Sequence, residues 1–69
     1  MVTPKDVRNA DEDADVAKSI YHRADGLAKR EGVGKATKEK AAAVAQKANE
    51  LHSDLRLLGQ HMENNEDIA

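Results

Sequence analysis

The chain has 69 residues, 39% of them hydrophobic and 35% charged, with a net charge of −2 at pH 7. That length holds one small domain at most. The absence of cysteine excludes disulfides and thiolate metal sites, and the slightly acidic balance gives no global basic footprint for nucleic acid.

The segment Thr3-Pro4-Lys5-Asp6 predicts a helix start. Thr3 suits the cap, Pro4 the first helical position, and Asp6 the acid of a capping box. Val7, Ala10, Ala14, Ala17, Tyr21, Ala24 and Ala28 then follow at alternating steps of three and four, the apolar seam of a packed helix. Gly26 falls inside this helix and weakens it by about 1 kcal/mol relative to Ala. Lys29 and Arg30 suit a helix C-terminus, and Gly32 suits a left-handed position just beyond it. The first helix is expected over about 4–31, a turn over 32–36, and a second helix over about 37–62, started by Thr37 or Gly34.

The second helix offers Ala41, Val44, Ala48, Leu51, Leu55, Leu58 and Met62 at the same alternating steps. Gly59 is a weak point near its end. Glu63 to Ala69 reads as a frayed acidic tail. Folding back at Gly32-Val33-Gly34 pairs the seams in antiparallel register: Val7 with Met62, Ala10 with Leu58, Ala14 with Leu55, Ala17 with Leu51, Tyr21 with Ala48, Ala24 with Val44, and Ala28 with Ala41. Most pairs set a small residue against a larger one, so Leu51 and Leu55 are expected among the most buried residues. The expected fold is all-α, a single antiparallel two-helix hairpin that completes a four-helix bundle as a homodimer.

The reason for a second copy is twofold. Phe and Trp are absent and Tyr21 is the only aromatic, so a lone hairpin has a thin core. A second apolar edge, Val16, Ile20 and Leu27 on the first helix with Leu57 and Ala43 on the second, falls beside the seam. These positions are expected to form an interface with another copy or another protein. Charge is also segregated. Asp6, Asp11, Glu12, Asp13 and Asp15 outweigh Arg8 near the start, and Asp54, Glu63, Glu66 and Asp67 outweigh Arg56 near the end. Lys29, Arg30, Lys35, Lys38 and Lys40 make the turn basic against Glu31 and Glu39. Two hairpins laid head to tail would place each basic turn beside an acidic end, a modest and salt-screened attraction.

Residues that carry chemistry are sparse. The acidic run at Asp11-Glu12-Asp13 lacks the glycine and distal Glu of a calcium loop and lies in a helical pattern. His22, His52 and His61 have no metal-ligand spacing and are expected on the surface. Ser19 and Ser53 lack a nucleophile motif, and Gly32-Val33-Gly34-Lys35 is too short for a phosphate loop. The reading is a non-catalytic protein-binding module without metal or cofactor, acting as a small adaptor, regulator or inhibitor. The basic turn has no aromatic beside it to stack on bases, which argues against nucleic acid as partner. Ala41 to Ala45 is the longest apolar run, too short to span a membrane, and Met1-Val2-Thr3-Pro4 opens no signal peptide, so a cytoplasmic location is expected.

Two resemblances add alternatives. Ala10-Asp11-Glu12, Ala14-Asp15, Ser19, Ala24-Asp25 and Leu27 resemble part of the second helix of Rop, the plasmid RNA-binding helical hairpin. That resemblance implies an antiparallel four-helix dimer and an RNA-binding regulator. Rop's RNA-contacting residues belong to its other helix, and Gln46, Glu50 and Asp54 occupy the corresponding face here. The segment Gln46-Lys47-Ala48-Asn49-Glu50-Leu51, with Leu55, Leu58 and Gln60, is similar to small two-helix co-chaperones of type III secretion. It implies a helical partner held between the helices.

Overall fold

The computed structural model describes residues 2–64. Two helices, α1 (Pro4–Lys29) and α2 (Lys35–Asn64), pack against each other as an all-helical hairpin. The start of α1 follows from its first residues. The Thr3 hydroxyl accepts the Asp6 backbone N–H at 3.3 Å, and the Asp6 carboxylate accepts the Thr3 N–H at 2.8 Å, with Pro4 at the first helical position. This reciprocal pair satisfies two otherwise orphaned donors.

α1 stops at Lys29, two residues before the periodic pattern suggests. Arg30 turns to an extended conformation, and its N–H bonds back to the Leu27 carbonyl at 3.3 Å. Gly32 then takes φ +82°, a left-handed value that an L side chain resists. α2 begins at Lys35 rather than about 37, because the Gly34 carbonyl already accepts the Lys38 N–H at 3.0 Å. Thr37 therefore sits inside the first turn of α2, and Gly34 opens it. At the far end Glu63 and Asn64, expected in a frayed tail, are helical. Residues 65–69 of that tail lie outside the described residues.

The seam of α1 is the predicted one. Val7, Ala10, Ala14 and Ala17 are buried, and Tyr21, Ala24 and Ala28 are half-buried. The seam of α2 is not. Its inner face carries Ala41, Ala45, Ala48, His52, Leu55, Gly59 and Met62, whereas Val44, Leu51 and Leu58 are 49%, 51% and 48% exposed. Leu51 is thus not among the most buried residues, Leu55 is only half-buried, and Ala10 lies against Gly59 instead of Leu58. The axial register survives, since Val7 and Ala10 still cluster with Met62 and Val2. α2 is rotated about its own axis by roughly 40° from the expected setting, less than one residue's step.

The cause is the size of the inner residues. Ala45 and Gly59 allow the two backbones to approach more closely than Val44 and Leu58 would, and dispersion between close surfaces rewards that approach. The approach is visible at His52, whose Nδ1–H donates to the Ala14 carbonyl of the other helix at 2.9 Å. Expected on the surface, His52 is half-buried in the seam. No helix among the described residues is long and apolar enough to cross a membrane.

Candidate functional site: an apolar groove between the helices

Rotating α2 inward on its small residues turns Val44, Leu51 and Leu58 outward to one side. Leu51 and Leu55 there meet Val16, Ala17 and Ile20 of α1, and together with Asp13 they line an open groove of about 310 Å³. Val16 and Ile20 are 57% and 44% exposed. Asp13 supplies the charged group of the lining, at one edge. Val44 and Leu58 stand seven residues either side of Leu51, so they extend the same stripe along α2.

The expected interface residues separate on this surface. Val16 and Ile20 come together in the groove. Leu27, seven residues from Ile20, continues their stripe towards the turn and is half-buried. Leu57, 61% exposed, is two residues from Leu55 and so points about 200° away, off the groove. Leu51 and Leu55, expected in the interior, line the groove with Val16 and Ile20. The heptad interval linking Val44, Leu51 and Leu58 was the available signal, together with Ala45 and Gly59 as positions that admit a close neighbour.

The basic residues gather at the turn end. Lys29, Arg30, Lys35 and Lys40 are exposed and Lys38 is half-buried. Lys29 is partly neutralised: its ammonium donates to Asp25 at 2.9 Å, and that hydrogen bond raises its pKa. At the other end, the hydrogen bonds from the Thr3 backbone and hydroxyl hold the Asp6 carboxyl below its usual range. Tyr21 packs edge-on to His22, ring centroids 5.2 Å apart.

Chemically the groove is suited to excluding water from aliphatic side chains. It presents five apolar residues and one carboxylate. Among the described residues, no three His, Asp or Glu side chains are grouped to hold a metal ion. Comparison with protein-family models, with curated proteins and with solved structures finds no match to this chain.

Proposed function

We propose that the protein is a small non-catalytic interaction module, an adaptor, regulator or inhibitor, that works as a homodimer. Two hairpins close face to face over the groove and complete a four-helix bundle. The observation that carries this reading is the groove itself, where Val16, Ile20, Leu51 and Leu55 line one open side of the hairpin. Burying a Leu or Ile side chain contributes about 1.5–3 kcal/mol, so covering this stripe offers more than the alanine seam does residue for residue. A second copy brings an identical apolar stripe and an equal need to cover it, and a two-fold interface is built from one such patch used twice.

Ile20→Asp tests the reading. A charge placed in the covered groove costs at least about 2 kcal/mol of association energy, so the variant is expected to run at the mass of one chain in light scattering while the parent runs at two. Circular dichroism on the same samples reads how far each hairpin depends on its partner. An Ile20→Asp protein that keeps the assembled mass removes the groove from the interface. A parent that is a cooperatively folded monomer overturns the homodimer.

A further inference from the structure

We infer that the two copies lie head to tail, basic turn against acidic open end, about a two-fold axis that crosses α2 at Leu51. This rests on the homodimer reading above and specifies its geometry. On the groove-side flank of α2, Val44, Lys47, Leu51, Asp54 and Leu58 alternate apolar and charged at steps of three and four. Val44, Lys47, Leu51, Asp54 and Leu58 are all exposed. Reversing this flank against itself about Leu51 sets Leu51 on its own copy, Val44 on Leu58, and Lys47 on Asp54. Every apolar position then meets an apolar one, and the charges meet with opposite sign.

The flank of α1 obeys the same axis without adjustment. Leu51 shares the groove with Ala17, Val16 and Ile20, so the axis crosses α1 between Val16 and Ile20. Reversal there sets Val16 against Ile20 of the second copy, and Asp13 against its Arg23. One centre, set at Leu51, therefore brings opposite charges together on both helices. The same reversal carries Lys40, towards the turn, to the open end where α1 begins with Asp6.

The competing two-fold runs parallel to the helices and stacks turn on turn. It packs α1 against α2 of the second copy at equal height. Val16 would still meet Leu51, but Asp13 would lie within a turn of Asp54, and Arg23 within a turn of Lys47. Like charges held this close across an interface oppose association, and opposite charges favour it.

The chain has no cysteine, so single introduced thiols report the geometry directly. Under mild oxidation, Leu51→Cys is expected to cross-link to itself. Val44→Cys and Leu58→Cys are expected to cross-link when mixed but not when each is alone. A dimer that instead joins Val16→Cys to Leu51→Cys in a mixture of the two, and leaves the Val44 and Leu58 variants unjoined, overturns the head-to-tail geometry and leaves the homodimer standing. A parent of one-chain mass overturns both. Charge reversal gives a second readout that needs no thiol. Lys47→Asp or Asp54→Lys alone should weaken the dimer roughly three- to tenfold at low ionic strength, and the two combined should restore it. Stronger association on Asp54→Lys alone is the signature of the turn-on-turn dimer and defeats the proposal.

Discussion

The two flanks of α2 differ in both size and fate. Towards α1 it presents Ala41, Ala45, Ala48 and Gly59, all buried. Towards the groove it presents Val44, Leu51 and Leu58, each about half exposed. The larger residues are the wetter ones, the reverse of what hydrophobicity alone would select. The inner flank coheres because small residues let whole backbones come close, and it is vulnerable to added volume. The groove flank holds its potential in large side chains, and it is vulnerable to lost volume or inserted charge.

The largest expected effect separates these two kinds of vulnerability. Ala14 is 0% exposed, and its carbonyl is bonded across the seam to His52. Ala14→Leu should destabilise the hairpin by about 1–3 kcal/mol by overpacking. Val16→Leu, two residues away on the groove flank, should change stability by no more than about 0.5 kcal/mol when both variants are carried on an Ile20→Asp background that holds the hairpins apart and leaves the groove open. Denaturant melts of the two variants side by side make the comparison, and an unshifted Ala14→Leu midpoint would show that the seam has room to spare.

A smaller effect is expected from the polar member of the inner flank. His52→Ala removes the hydrogen bond to the Ala14 carbonyl, a loss of about 0.5–1.5 kcal/mol in the same melts. If the midpoint stays put, the His52 contact follows the close approach without contributing to it.

The smallest effect lies outside both flanks and serves as their control. Hydrogen bonds from Thr3 lower the Asp6 pKa from its ordinary value of 3.8. The folded state thus prefers the ionised carboxylate. That preference stabilises the start of α1 above the ordinary value and fades as pH falls through the lowered one. Asp6→Asn should flatten part of the acid limb of a pH–melting curve and leave the groove variants' behaviour unchanged. An acid limb identical to the parent's would remove Asp6 from the pH dependence.

Much of the fold was legible in the sequence. The capping box, the reversal at Gly32 and the axial pairing of Val7 with Met62 rest on local rules that tertiary packing did not disturb. The seam of α1 was also legible, since its apolar residues define one stripe among charges. α2 misled because it carries two interleaved stripes. Ala41, Ala48, Leu55 and Met62 belong to the inner face under either rotation, and only Val44, Leu51 and Leu58 against Ala45, His52 and Gly59 decide between them. A rule that buries the larger set chooses wrongly when the smaller set permits closer helices. The groove was half legible for the same reason: the sequence places Val16 and Ile20 beside the α1 seam, while side-chain size alone puts their neighbours Leu51 and Leu55 in the interior.

The short turn around Gly32 has a consequence for the order of assembly. Closing the chain at the level of Ala28 and Ala41 traps only the turn and the ends beside it, whereas closing it between Val7 and Met62 spans about four times as much sequence, at about 1.2 kcal/mol more loop entropy. The nearest rungs of the hairpin are therefore the least costly to close, and the cost rises towards the open end. The cluster of Val7, Ala10 and Met62, with Val2 against it, lies at that costly end. It is the clasp of the hairpin, the contact that closes the longest loop and the one with the most loop entropy to gain on release.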